Sequence, residues 1–217
     1  MLAVTDLDRA AERLVAEHGL VALPGGRHPG AGTANRIVPL GPAYLELIAV
    51  VDDAEASSSQ LSRRVSAALE RRAGIATWAV RVGDLDAVRA RLDAAAVPAV
   101  GPRAGFRRRP DGVLLEWRTL HVGDGLEPAI PFFIEWRLSA GQHPGGQAVD
   151  HPAGAVRLKS LRLSAPSPER LEERLRSLLG GLPALTFEQG EREEVTAVVL
   201  DVGGVEGVLR GAEASLG

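Results

Sequence analysis

Five histidines, one glycine-rich stretch and two carboxylates set among apolar residues carry the chemistry that this sequence offers. His28, His143 and His151 each precede a proline, which drives the residue before it toward extended geometry. Such a position suits plain turn punctuation. It also suits an imidazole held at a cavity mouth, where His28 or His143 would move a proton or bind a ligand carboxylate. His18 precedes Gly19 at the end of an apolar-periodic stretch, where a cation meets a helix dipole favourably and the role is structural. Glu46 lies in Tyr44-Leu45-Glu46-Leu47-Ile48, and Glu135 lies in Phe132-Phe133-Ile134-Glu135-Trp136. Strand alternation sets Glu46 on the face of Tyr44 and Ile48, and Glu135 on the face of Phe133 and Arg137. A carboxylate on such a face is costly unless paired or metal-bound; Arg81, Arg118 and Arg137 are the cationic partners at hand, and a general-base role is the alternative.

The stretch from Pro24 to Asn35 contains Gly25, Gly26, Gly30 and Gly32 and reads as a loop whose backbone amides approach a ligand closely. It is not a phosphate loop, because no Lys-Ser or Lys-Thr follows its glycines and no helix follows it. Gly-x-Ser-x-Gly, a dinucleotide fingerprint and a His-x-x-x-His helix are all absent, which weakens hydrolase, nicotinamide and zinc-peptidase readings. Arg107-Arg108-Arg109 precedes Pro110-Asp111-Gly112 and reads as a solvated loop before a turn, with contact to an anionic ligand as the sharper alternative.

The elements that must position these residues repeat. Val4-Thr5-Asp6-Leu7-Asp8 opens one apolar-periodic stretch, and Val82-Gly83-Asp84-Leu85-Asp86 opens another. Ala165-Pro166-Ser167-Pro168-Glu169 is a looser third copy, and Leu14, Leu92 and Leu175 keep the same offset inside each helix. Each copy reads as strand, cap, amphipathic helix and further short strands; Asp6, Asp84 and Ser167 are the caps. Units that cannot bury an apolar face alone pack against one another. The expected division is a first unit over 1–52, a linker helix within 53–74 that crosses the outside of the sheet, and a second unit over 75–138. A Gly/Pro/His-rich loop over 139–154 and a third unit over 155–217 follow. The first two units share one cleft, and Tyr44, Trp78 and Phe133 are candidates to line it.

At 217 residues, 45% hydrophobic and 24% charged, the chain has the balance of a globular protein with an ample core. The net charge of −3 gives no global basic field for nucleic acid or anionic lipid. No stretch is long and apolar enough to span a membrane, and the first residues lack the pattern of a signal peptide. The absence of cysteine rules out thiolate chemistry and fits a cytoplasmic location.

Strand, helix and three strands behind an Asp-Leu-Asp cap resemble the βαβββ unit of the vicinal oxygen chelate superfamily. Gly25-Gly26-Arg27-His28-Pro29-Gly30 with Asn35, Pro39-Leu40-Gly41 and Tyr44 to Ile48, and then Pro131 to Trp136, are similar to its glyoxalase-like domain family. The resemblance implies an α+β fold in which repeated βαβββ units form a curved mixed sheet with a central cleft and helices on the outside. It implies a small-molecule ligand, a homodimer by analogy, and either metal-assisted lyase, isomerase or dioxygenase chemistry or sequestration of a hydrophobic, antibiotic-like compound. Carried over, Glu46 and Glu135 would hold one divalent ion (Mg, Mn, Fe, Ni or Zn), His28 and His143 would be catalytic, and Arg27 and Asn35 would join Tyr44, Trp78 and Phe133 at the substrate. The first-strand position where the superfamily often presents a histidine is Thr77 in the second unit and falls before Met1 in the first. The sequence as given thus begins inside its own first strand; either the protein never carried that ligand, or its true start lies further upstream.

Overall fold

The computed structural model describes residues 1–71 and 74–211; the expected end of the linker helix at Arg72 lies outside them. The first unit comprises β1 (Leu2–Ala3), α1 (Leu7–His18), β2 (Leu23–His28), β3 (Thr33–Leu40) and β4 (Ala43–Val50). Two helices follow, α2 (Asp53–Ala56) and α3 (Gln60–Glu70). The second unit comprises β5 (Ala79–Arg81), α4 (Leu85–Ala94), β6 (Ala99–Arg108), β7 (Leu114–Val122) and β8 (Phe132–Arg137). After a 3-10 turn at Pro144–Gly146 come β9 (Val156–Ala165), α5 (Pro168–Leu179), β10 (Leu185–Gln189), β11 (Glu194–Val202) and β12 (Val205–Arg210).

The helices begin where their caps require. The Asp6 carboxylate accepts from the Asp8 and Arg9 amides at 2.9 and 3.0 Å, and Asp84 accepts from Asp86 and Ala87 at the same distances. These bonds satisfy first-turn donors that no helix can pair internally. Gly19 ends α1 with φ 63°, the left-handed turn that glycine adopts without strain. Ser167 sits at the cap position of α5 but makes no side-chain cap bond there.

The strands form three four-stranded sheets. The first two are wired alike, in the orders β1-β4-β3-β2 and β5-β8-β7-β6, so the first strand of each unit runs parallel to its last. The third has the same succession of elements in another strand order, β10-β9-β11-β12. There β9 pairs in parallel with β10 across the α5 crossover, and antiparallel with β11 on its other side. Together these make the α+β fold of repeated strand-helix-strand units expected from the sequence.

Two seams close the first two sheets around a hollow. At one, β2 lies against β6, where the Arg107 guanidinium Nη1 donates to the Gly25 carbonyl at 2.8 Å. A Cβ on Gly26 would come within 2.5 Å of the Arg108 carbonyl oxygen, so the close approach of the strands requires glycine there. At the other seam Leu2 bridges Ile75, with the Ala3 amide donating to the Gly74 carbonyl at 2.7 Å and the Ala76 amide to the Met1 carbonyl at 3.0 Å. Outside the hollow, Leu14, Leu47, Leu85, Leu120, Phe133 and Leu163 belong to one continuous core, which joins both units to the third sheet.

Several expectations need correction. The glycine-rich stretch is a hairpin, β2 and β3, with a bulge between Pro24 and Gly26. The linker within 53–74 holds two helices rather than one, the short α2 preceding α3. The opening strand of the second unit is only Ala79–Arg81, and β6 runs on to Arg108, which places Arg107 in a strand rather than a solvated loop. The linker helix α3 does not cross the outside. Its Val65 and Ala68 pack on Ile48 with Ala3 and Ala76, on the face of β4 that also carries Glu46, so α3 closes one end of the hollow. Among the described residues no helix is long and apolar enough to cross a membrane.

Candidate functional site

The hollow between the first two sheets has a volume of about 420 Å³. Alternation along the strands decides its walls. His28 comes from β2, Asn35 and Ile37 from β3, and Tyr44 and Glu46 from β4. The opposite wall comprises Arg103, Gly105 and Arg107 of β6, Trp117, Thr119 and His121 of β7, and Phe132, Ile134 and Trp136 of β8. Helix α3 adds Gln60, Leu61 and Arg64. A Cβ on Gly105 would sit 2.5 Å from the Trp117 indole nitrogen, so this glycine makes room for the ring.

At the heart of the first wall is a polar cluster. Glu46 is only 6% exposed. Its Oε1 accepts from the Asn35 amide nitrogen at 2.8 Å, and the same nitrogen lies 3.3 Å from His28 Nε2. His28 Nδ1 lies 2.9 Å from Thr33 Oγ1. Asn35 therefore directs its two N–H groups at two acceptors, a carboxylate and an imidazole nitrogen, and this fixes its orientation. Its Oδ1 is left buried without a hydrogen-bond partner. Burial holds the His28 ring below the usual imidazole range; Arg107 pushes the same way, and Glu46 partly opposes them. His28 is then a neutral ring at pH 7. Tyr44 is pushed far above the usual phenol range by burial, with a further contribution from Glu46, so it remains a hydroxyl.

Two buried guanidinium groups face this cluster. Arg107 is 2% exposed. Arg64, 5% exposed, donates to the Gly125 carbonyl, to Thr77 Oγ1 at 3.2 Å and to His121 Nδ1 at 3.1 Å, and lies over the Phe132 ring at 5.7 Å. Burial pulls Arg64 down to about 10. Burial and the nearby Arg64 and Arg103 push His121 down to about 4, so His121 accepts from Arg64 as a neutral ring. Trp117, Trp136 and Tyr44 form an aromatic arc. The ring centres of Trp117 and Trp136 are 5.2 Å apart, and those of Tyr44 and Trp136 are 6.4 Å apart, both edge-to-face.

Of the expected site residues, the structure brings together His28, Asn35, Tyr44 and Glu46. Trp78 and His143 line a neighbouring cavity instead. The Trp78 indole donates to the Ala129 carbonyl at 2.9 Å, while His143 Nδ1 accepts from the Gly145 amide at 3.2 Å. Arg27 is turned outward, paired with Asp52 at 2.8 Å and Glu55 at 3.5 Å. Phe133 and Glu135 lie on the other face of β8. Phe133 is in the core, and Glu135 accepts from Arg118 Nη2 and from the Leu85 amide, both at 2.8 Å. These bonds hold the Glu135 carboxyl below its usual range, Arg118 foremost. The alternation in Phe132–Trp136 was legible; which of its faces is inner was not, because both faces are apolar. Arg64 was missed as a site residue, and Arg107 was read only as part of a basic run, a solvated loop or else a contact to an anionic ligand. The spacing of Arg103, Gly105 and Arg107 by two was the available signal for an inward strand face.

The residues present do not fit a divalent ion. Glu46 and His28 approach to 3.9 Å, but the Asn35 amide presents N–H donors between them, and Glu135 is engaged elsewhere. No three His, Cys, Asp or Glu side chains among the described residues are grouped to hold a metal. What the arrangement offers is a carboxylate held in place by an amide, a neutral imidazole behind it, and buried positive charge opposite.

The chain matches the model of the glyoxalase-like domain over residues 1–179. A comparison with curated proteins finds no match. Among solved structures, a hypothetical protein from Staphylococcus aureus is similar in fold, with 16% identity over 83% of this chain and 82% of that one and a TM-score of 0.69. Methylmalonyl-CoA epimerase from Mycobacterium tuberculosis is 26% identical over 62% of this chain and 82% of its own, with a TM-score of 0.43. The Streptomyces coelicolor epimerase, in complex with 2-nitronate-propionyl-CoA, is 18% identical over 63% and 94% with a TM-score of 0.46. With its paired strand-helix-strand modules closing on a polar hollow and the family match over most of its length, the chain belongs to the glyoxalase-like domain family.

Proposed function

We propose that this protein binds a small molecule in the hollow between its first two units and moves a proton on it, with Glu46 as the acid–base group and no resident metal. One observation carries this reading. Glu46 lines the cavity, its Oε1 is held by Asn35, and its Oε2 makes no hydrogen bond to the described residues. A positioned, buried carboxylate with a free oxygen is what abstraction of a proton beside a carbonyl needs. The proton passes from ligand carbon to Oε2, the electron pair moves to the carbonyl oxygen as an enolate, and return of the proton completes the cycle. Asn35 is the positioning residue. His28, neutral and anchored by Thr33, polarises Asn35 without competing for the proton. The hydroxyl of Tyr44, kept protonated, borders the same space and has no hydrogen bond to the described residues, so it is available to a ligand oxygen.

The test is solvent deuterium exchange. Carbonyl acids that shift the melting temperature are incubated in D2O and followed by proton NMR. Wild-type protein is expected to catalyse exchange of the proton next to the carbonyl, and Glu46→Gln to lose that exchange while still binding. Binding without exchange in the wild type would overturn the catalytic reading and leave sequestration, which the aromatic arc of Tyr44, Trp117 and Trp136 favours.

A further inference from the structure

The charge and shape of the interior define the ligand more closely. Arg107 is 2% exposed, and no carboxylate among the described residues lies within 4.0 Å of it. Among the described residues only its Nη1 is bonded, to the Gly25 carbonyl, and the rest of the fork finds no acceptor there. A buried cation without a counter-charge is costly, and burial is the dominant influence on Arg107, only partly offset by Glu46. Arg64 has its donors engaged by Gly125, Thr77 and His121. Arg103 stands exposed at the rim. Three arginines against the single carboxylate of Glu46 make the lining attractive to anions, and a planar fork matches a carboxylate in two-point geometry.

A second cavity of about 340 Å³ adjoins the first. The two have Met1, Tyr44, Glu46, Phe132, Ile134 and Trp136 as a common boundary, and the Met1 amine there donates to the Thr77 carbonyl at 2.9 Å. Beyond that boundary the second is largely apolar. Leu40, Ile75 and Trp78 come from the first two units, and Leu161, Val195 and Val198 from the third sheet. Its remaining polar lining is Thr77, Arg81 and His143. The third sheet, which no feature of the catalytic reading uses, therefore builds one wall of an apolar annex, and Glu46 stands where the annex meets the cationic hollow.

We infer that the ligand is an organic acid with an apolar arm: its carboxylate is received by Arg107, its arm lies in the annex against the third sheet, and its reacting carbon falls between them at Glu46. This rests on the hollow being the ligand site, as proposed above, but not on proton transfer there.

The probes are butyrate, octanoate and the neutral octanamide, titrated against the whole protein by calorimetry. Each methylene buried in the annex is expected to tighten binding by up to about fourfold. Octanoate should then bind at least about tenfold tighter than butyrate, and also tighter than octanamide. Arg107→Met should bring octanoate down to the level of octanamide, whereas Arg107→Lys, which retains the charge, should keep the preference for the acid. Val198→Phe, which narrows the annex, should remove the advantage of octanoate over butyrate and leave butyrate unchanged. The inference is overturned if octanamide binds as well as octanoate, if chain length has no effect, if no probe binds, or if Arg81→Met rather than Arg107→Met abolishes the acid preference. Glu46→Gln removes the acidic side chain that opposes the arginines and should not weaken octanoate binding. A chain-length effect without deuterium exchange therefore defeats the proton-transfer reading alone, and exchange without a chain-length effect defeats this inference alone.

Discussion

Glu46 owes its usefulness to what surrounds it rather than to being acidic. It sits among apolar neighbours on a strand, held on one oxygen by Asn35 and open on the other. Replacing it with glutamine retains the shape and the Asn35 contact through the remaining oxygen. The expected outcome is a loss of exchange of about a hundredfold or more with little change in melting temperature, read by NMR and thermal denaturation. Asn35→Asp places a second carboxylate against the first. It should cost about 1–3 kcal/mol of stability in urea titration at pH 7, because a buried acceptor loses its donor and meets a like charge. Glu135 illustrates the opposite case. In sequence the two glutamates look equivalent, each on a strand between aliphatic and aromatic residues, but Arg118 and the first amide of α4 saturate Glu135. Glu135→Gln should lower stability by about 1–2 kcal/mol and leave octanoate affinity unchanged.

At the scale of elements, caps and helix ends were legible because they rest on local chemistry. Asp6, Asp84 and Gly19 each stand where a first-turn donor or a left-handed residue is needed, whereas Ser167 holds the cap position of α5 without the cap bond. The hairpin of β2 and β3 was not legible, because its glycines serve a contact with β6 that is distant in sequence. Gly26→Val forces a side chain against the Arg108 carbonyl, and overpacking of this kind should cost about 1–3 kcal/mol, measured as a lower denaturation midpoint. The path of α3 was likewise hidden. An amphipathic helix shows that one face is covered, and only the tertiary arrangement shows that Ile48, Ala3 and Ala76 do the covering.

Across the whole molecule, the repeat made the two like modules readable, but not the altered strand order of the third. Strand succession is written in the sequence, and strand adjacency is decided by packing. The third sheet is tied to the first unit through His151. Its Nδ1 accepts from the Val21 amide at 3.0 Å, and its Nε2 lies 2.9 Å from the Pro39 carbonyl. The interior also sets a pH response. His121 is held at about 4, against about 6.5 in an unfolded chain. Between those values the unfolded state binds more protons, so the contribution is complete above about pH 6.5 and is lost as pH falls toward 4. At pH 5 this amounts to about 2 kcal/mol. His121→Gln, which still offers Arg64 an acceptor but does not titrate, should flatten the fall in urea-unfolding free energy between pH 6.5 and 5.

The bond from Arg107 to Gly25 spans the join between the two modules, and the same side chain borders the interior. One arginine is thus both rivet and receptor. A substitution that retunes ligand preference at this position also loosens the joint, so changes of specificity here would have to be accompanied by repair elsewhere along the β2–β6 junction.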